Sequence, residues 1–370
     1  MLGSTGSVGT QTLDVVRSFP GEFNVVGLAA RRSIELLAAQ VKEFETKLVS
    51  CEATSDERVM LLSNGCTECG MEEMVRHPEV DTVVAATVGD VGLEATFAAI
   101  DAGKRIALAN KESVVMAGEA VMRLAVQNGA ELIPVDSEPS AIWQCLRGEK
   151  NVSKLIITAS GGAFRDIPAE KMADVTPEQA LRHPTWRMGP KITIDSATMM
   201  NKAFEVIEAH WLFGIPWDDI EIVLHPQSFI HSMVEFVDGS VKAQVSPPDM
   251  HLPIQYALFF PDRMPNKLIP RFDPVSIAEL TFKPWEPERY PCFNMALDIA
   301  KRGGTWPAAL CGADDAAVKA FLEGRIGFLE IETVIREALK SHEPNLDPSI
   351  DDVIVAAASA RSCVADIVGG

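Results

Sequence analysis

The sequence predicts an α/β protein with an N-terminal doubly wound dinucleotide-binding domain, a following α+β domain and a C-terminal helical bundle. Three observations predict it. A glycine loop, LGSTGSVG, occupies residues 2–9. Short β-rich runs then alternate with helical stretches as far as residue 136, the cadence of a doubly wound sheet. From about residue 292 the chain turns helical and alanine-rich, as a small terminal bundle does.

Taken in order, Gly3, Gly6 and Gly9 permit a tight turn and close approach of a pyrophosphate to the helix that begins after them. FNVVGLAA (23–30) is the next strand. Where NAD enzymes place an acidic residue for the ribose hydroxyls, this chain has Arg31-Arg32-Ser33. Paired guanidinium groups suit a 2′-phosphate and hence NADPH, although two arginines also start exposed helices. Only Met1 and Leu2 precede the loop, so the first strand is short. The expectation is an apolar extension upstream that completes it; without one, neighbouring backbone groups would be unpaired and the loop held from one side.

Further strands are expected at 47–50, 82–86, 105–109 and 131–135, with chemistry gathered at the ends of the last two. One is followed by Asn110-Lys111-Glu112-Ser113, the other by Asp136-Ser137-Glu138. Two carboxylates leaving one turn together are costly unless a cation lies between them. Hard oxygen donors with no nearby Cys or His point to Mg²⁺ or Mn²⁺. An Asp-Ser-Glu turn that merely caps a helix reads equally well.

VSKLIITAS (152–160) reads as a strand ending at Gly161-Gly162. HPTWRMGPK (183–191) places Trp186 between prolines, either as a lid over a site or as a packed surface loop. In KITIDSATMMNKAFEVIEAH (191–210), Ile192-Thr193-Ile194 reads as a strand end and Asp195 or Ser196 as the cap of a helix. Met200, Ala203, Phe204, Ile207 and Trp211 then face the core, while Asn201, Glu205 and Glu208 line another face with Lys202 beside them. That second face is either a grip for an anionic, hydroxylated ligand or a solvated surface. Strands at 220–246 with a hairpin at Asp238-Gly239 predict an antiparallel sheet packed on helices. The proline-rich stretch 261–291 reads as a linker.

Composition narrows the function classes. A chain of 370 residues allows two or three domains. The apolar fraction of 47% and charged fraction of 23% are ordinary for a globular protein, and no apolar run of about 18 residues spans a membrane. A net charge of −19 argues against nucleic-acid binding and requires local cations for any anionic ligand. Seven scattered Cys, including a lone Cys66-Thr-Glu-Cys69, point to a reducing compartment rather than a disulfide framework. A plain NADPH dehydrogenase would want a catalytic Cys or an obvious proton donor. A non-catalytic NADPH sensor would not need Asp136, Glu138, Lys202 and Glu205 intact.

LGSTGSVG, ALANKES, PVDSE, SGGAFR, HPTWRMG, DSATMMNKAFEVIEA and HPQSFIHSMVEF stand in this order, and together the chain closely resembles the 1-deoxy-D-xylulose 5-phosphate reductoisomerase family. The resemblance implies a Rossmann-like NADPH domain (1–136), a catalytic, metal-binding and dimerisation domain (137–260), a linker (261–291) and a helical domain (292–370). It implies a cytoplasmic homodimer that rearranges and reduces a phosphorylated sugar, 1-deoxy-D-xylulose 5-phosphate, to 2-C-methyl-D-erythritol 4-phosphate for isoprenoid precursors. Implied metal ligands are Asp136, Glu138 and Glu205. Implied substrate contacts are Lys111, Ser137, Glu138, Ser160, His183, Trp186, Ser196, Asn201, Lys202 and Glu205, of which Lys111, Glu138, His183 and Glu205 are catalytic. Implied NADPH contacts are Thr5, Gly6, Ser7, Val8, Arg31, Arg32, Ser33, Asn110, Glu112 and Gly189. Cys311 to Val318 departs from the family's Asn-Ala-Ala-Asn-Glu type of run.

Overall fold

The structure is a computed structural model that describes residues 1–369. Helices and strands alternate first: α1 (Ser7–Ser18), β1 (Gly27–Ala29), α2 (Ile34–Phe44), β2 (Leu48–Ser50), α3 (Ser55–Leu62), β3 (Thr67–Glu68), α4 (Met71–Arg76) and β4 (Thr82–Ala85). They continue through α5 (Leu93–Asp101), β5 (Arg105–Leu108), α6 (Lys111–Asn128), β6 (Glu131–Pro134) and α7 (Ser137–Cys145). Next come β7 (Val152–Ala159), α8 (Pro177–Ala180), α9 (Pro190–Thr198) and α10 (Met200–Phe213). The strands β8 (Ile220–Leu224), β9 (Ile230–Phe236) and β10 (Val241–Val245) precede α11 (His251–Phe259) and α12 (Pro274–Ile277). Four helices finish the chain: α13 (Pro291–Ala300), α14 (Trp306–Leu322), α15 (Glu330–Leu339) and α16 (Ile350–Gly369).

Two compact units contain these elements. The first comprises Met1–Ser113, Ala120–Ser140 and Asp249–Pro270; the second comprises Val114–Glu119, Ala141–Pro248 and Arg271–Gly370.

In the first unit β1, β2 and β3 pair in parallel, as do β4, β5 and β6. Leu2 joins the two sets through parallel bridges to Ala29 and Ala85. The sheet order is therefore β3-β2-β1-Leu2-β4-β5-β6. The expectation that the glycine loop is held from one side only is corrected here. Leu2 N donates to Val84 O and Ala86 N to Leu2 O, both at 2.9 Å, while Ala29 N donates to Met1 O at 2.9 Å. Gly3 N and Ser4 N both donate to Ala29 O, so the glycine loop is held from both sides. Leu13, Leu28, Leu37, Val41 and Val49 pack a core behind it.

In the second unit β9 and β10 form the expected hairpin, with Gly239 at φ +83°. The sheet order is β10-β9-β7-β8, and β7 pairs with β8 in parallel, so the sheet is mixed rather than purely antiparallel. The strand expected at Ile192–Ile194 is the interior of α9 instead. Pro190 at its first position supplies a helical φ, Thr193 Oγ1 bonds back to Gly189 O at 2.7 Å, and Lys191 pairs with Asp195 one turn on. The β-branched run is overridden by these local bonds and by burial of Thr193 to Thr198. Asp195 and Ser196 consequently lie inside a helix rather than capping one. The junction to α10 is Met199, which takes φ +62°. Thr198 Oγ1 accepts from Met200 N at 3.3 Å and covers a donor at the new helix start.

Candidate functional site

The N-terminus of α1 is built to receive an anion. Its cap is Gly6, which offers no side-chain cap bond, and no acidic residue lies in the first turn. An added Cβ on Gly9 would meet Gly3 O at 2.2 Å, and one on Gly3 would meet Ala86 O at 2.3 Å. Only glycine lets loop, helix and strand end approach this closely. Gly6 and Ser7 are exposed, with Thr5 and Val8 half-buried beside them. Arg31, Arg32 and Ser33 are exposed just past β1, and Ser33 caps α2 through its backbone position without a side-chain bond. Arg31 Nε lies 3.0 Å from Glu52 Oε1 in a solvated pair that is worth little and is easily exchanged for a phosphate.

Asn110 is buried, and its side chain is fully engaged. It caps α6 by accepting from Ser113 N at 2.9 Å and donates to Thr87 O and Gly89 O at 2.8 and 2.9 Å. Its amide thus shapes the loop after β4, and Glu112 sits half-exposed in the first turn of α6. Lys111, buried behind them, ion-pairs with Asp136. Asp136 follows β6 and accepts from Ser137 N at 3.0 Å; Ser137 Oγ donates to Glu138 Oε2 at 2.5 Å. The Asp-Ser-Glu turn therefore opens α7 and also concentrates negative charge at this strand end. Its donors are hard oxygens, the ligand type of Mg²⁺ or Mn²⁺.

In the second unit Ser160 directly follows β7, and Gly161 and Gly162 after it take φ +84° and +70°. Ser160 Oγ accepts from Gly162 N at 3.2 Å and lies 3.0 Å from His183 Nε2. His183 Nδ1 accepts from Thr185 N at 3.1 Å and Trp186 N at 2.8 Å. Two backbone donors at Nδ1 place the ring proton on Nε2, so His183 donates to Ser160. Burial, then the charges of Arg165 and Lys202, push the His183 pKa down to about 4. Trp186 is half-buried, with its ring centroid 6.0 Å from that of His231.

That shift predicts a pH dependence. Between about pH 6.5 and 4 the unfolded ring binds a proton that the folded ring refuses. The His183 contribution to stability is complete above pH 6.5 and is lost as pH falls through 4. An imidazole NMR titration should show no protonation of His183 above about pH 5; a midpoint near 6.5 would refute the buried, neutral assignment.

Lys202 and Glu205 form a buried ion pair within the first turns of α10. Lys202 Nζ also donates to Thr158 O at 2.7 Å, and Asn201 Nδ2 donates to Glu205 Oε1 at 2.5 Å. Glu205 and Glu208 are 1% and 0% exposed, so the solvated-face reading of this helix is overturned. Ser196 is buried in the last turn of α9, and Gly189 caps that helix. Sequence reasoning missed Arg165, whose guanidinium donates to Ser160 O and Pro226 O, both at 3.1 Å. It braces the turn that presents Ser160. Its position right after the Gly-Gly turn in SGGAFR was the available signal. The cysteines are free, and burial is the leading cause that raises the Cys51, Cys66 and Cys69 thiols.

Family models match in three segments: 1-deoxy-D-xylulose 5-phosphate reductoisomerase over residues 1–118, its C-terminal domain over 132–213, and the DXP reductoisomerase C-terminal domain over 245–363. The 1-deoxy-D-xylulose 5-phosphate reductoisomerase of Geobacillus kaustophilus strain HTA426 is 49% identical over 376 residues, covering 100% of this chain and 98% of that protein. The one from Bacillus cereus strain Q1 is 47% identical, with 98% of each covered. The solved structure of the Zymomonas mobilis reductoisomerase with NADPH superposes at a TM-score of 0.90 with 40% identity, covering 99% of this chain and 97% of that one. A reductoisomerase in complex with NADPH, fosmidomycin and magnesium gives 0.91 with 34% identity, covering 100% and 97%.

Proposed function

Because this chain belongs to the 1-deoxy-D-xylulose 5-phosphate reductoisomerase family, we propose that Asp136, Glu138 and Glu205 hold the divalent ion of its reaction. The protein is an NADPH-dependent oxidoreductase that converts 1-deoxy-D-xylulose 5-phosphate to 2-C-methyl-D-erythritol 4-phosphate, a step of isoprenoid precursor synthesis. Its cofactors are NADPH and a divalent metal such as magnesium.

The observation that supports the site assignment best is the buried Lys202–Glu205 pair. Keeping an ammonium and a carboxylate out of water costs several kcal/mol per ion. A fold gains little stability from such a pair but does gain a cation for a phosphate and a carboxylate for a metal. Ser196, Asn201 and Lys202 cradle the substrate phosphate at the start of α10, with Ser160 beside His183. Neutral His183 donates from Nε2 and orients Ser160 or a substrate oxygen. Lys111 ion-pairs with Asp136 and holds it in place; Ser137 and Glu138 complete that end. His183 and Trp186 close over the substrate and exclude water. When bound, the ion acts as a Lewis acid toward the substrate's carbonyl and hydroxyl oxygens. Thr5, Gly6, Ser7, Val8, Arg31, Arg32, Ser33, Asn110, Glu112 and Gly189 would hold NADPH, the hydride donor.

We further propose a cytoplasmic homodimer whose segments 1–136, 137–260 and 292–370 serve as cofactor, catalytic and helical domains around a linker at 261–291. Among the described residues no helix is long and apolar enough to cross a membrane.

Two measurements test this reading. Loss of NADPH absorbance with 1-deoxy-D-xylulose 5-phosphate should require Mg²⁺ or Mn²⁺ and stop with EDTA, while NADPH binding persists. Turnover that survives EDTA would refute the metal. Replacing Arg31 and Arg32 by Ala should weaken NADPH by about 1–3 kcal/mol per lost charge-assisted bond and leave NADH nearly unchanged. Equal losses for both cofactors would assign the arginines to the fold alone.

A further inference from the structure

Three helices of the second unit meet at the ammonium of Lys191. This residue lies in the first turn of α9, directly after the Gly189-Pro190 end of the loop that carries His183 and Trp186. Its Nζ is 2.5 Å from Asp195 Oδ2, one turn further along α9, and 2.5 Å from Asp314 Oδ2 of α14. It also sits 5.3 Å from the ring centroid of Phe204 in α10. The Asp195 and Asp314 side chains are 4% and 0% exposed. Their oxygens stand within twice 2.5 Å of each other, a spacing that two ionised carboxylates tolerate only around a shared cation. The neighbouring Cys292 thiol is pushed well up, first by burial and then by Asp314, so it stays neutral here.

A trio of apolar side chains would hold these helices together at least as firmly. What the charged trio adds is register. The ammonium has to stay within hydrogen-bond reach of both carboxylates, so α9 cannot slide or turn on α14 without breaking the buried Lys191–Asp314 pair. Both ends of α9 matter for the reaction. Its first turn receives the loop of His183 and Trp186. Its last turn carries Ser196 and leads through Met199 into Asn201 and Lys202.

We propose that Asp314 is a positioning residue. Through Lys191 it anchors α9, so that loop 183–189 and the phosphate-binding turn keep a set separation. This rests on the assignment of Ser196, Asn201 and Lys202 to the substrate phosphate. Asn at 314 keeps an oxygen acceptor for Lys191 in the same place, whereas Leu keeps the volume and loses the acceptor.

The test compares the parent enzyme, D314N and D314L, each loaded with NADPH and Mg²⁺. D314L should lose about tenfold or more in kcat/KM for 1-deoxy-D-xylulose 5-phosphate, mainly through KM. Amide exchange over residues 185–192 should quicken in D314L, while that of β7 stays at the parent rate. D314N should restore both readouts. If D314L does not fold, D314S, whose oxygen falls short of Lys191, should show the same pattern. A lower melting temperature with parental KM and parental loop exchange would overturn the proposal, as would a D314N variant no better than D314L. A parent enzyme that does not turn over this substrate would instead refute the functional reading, and the exchange data would still decide the anchor.

Discussion

Glu205→Gln should lower kcat on the order of 10³-fold or more while NADPH binds as before. The amide keeps the size of the carboxylate and removes its charge. Glu205 is 1% exposed, so no solvent rearrangement replaces the missing charge on the ion. The same substitution removes the Lys202–Glu205 ion pair, while the Thr158 carbonyl still accepts from Lys202 at 2.7 Å. A loss of about 1–3 kcal/mol in stability should therefore accompany the kinetic defect. Mn²⁺ titration followed by paramagnetic resonance separates the two effects. Weakened ion binding in a folded variant with parental NADPH affinity is the expected result. A variant that binds Mn²⁺ as tightly as the parent would remove Glu205 from the metal site.

Gly162→Ala should destabilise the protein by about 2–5 kcal/mol, combining a left-handed conformation with overpacking. Gly162 has φ +70°, and an added Cβ would meet Ser196 O at 2.4 Å and Ala197 Cα at 2.9 Å. Both obstacles are backbone, so relief requires α9 to move. Ser196 would move with it, and KM for the phosphorylated substrate should rise. Gly239→Ala is the control: φ is +83°, but the space around it is open, so only the conformational cost of about 1 kcal/mol remains. Thermal melting of the two variants, with KM measured alongside, checks the argument. Equal melting temperatures would mean that α9 yields without cost.

Local chemistry made much of this protein readable before any coordinates. The glycine loop, Arg31-Arg32, the strand ends at Asn110 and Asp136, the Gly161-Gly162 turn and the Asp238-Gly239 hairpin each state a short-range requirement. Such requirements involve neighbours a few residues away, where spacing is visible in the chain. The order of the motifs carried the family likeness for the same reason.

Other features depend on partners distant in sequence, and those only the tertiary structure decided. Ile192-Thr193-Ile194 has strand-forming side chains, yet Pro190, the Lys191–Asp195 pair and Asp314, 123 residues away from Lys191, hold it as a helix. Helical spacing put Glu205 and Glu208 on one face, but only packing around α10 showed that face to be buried. Met1 and Leu2 looked too few to make a strand; they pair with Ala29 and Val84, which lie about 30 and 80 residues on. The tautomer of His183 is set by two backbone donors at Nδ1, which come from the folded turn. By itself the sequence determined which chemical groups are present and in what local turns. The tertiary structure decided which of them are withdrawn from water, and a charge withdrawn from water interacts far more strongly with its neighbours than one left in it.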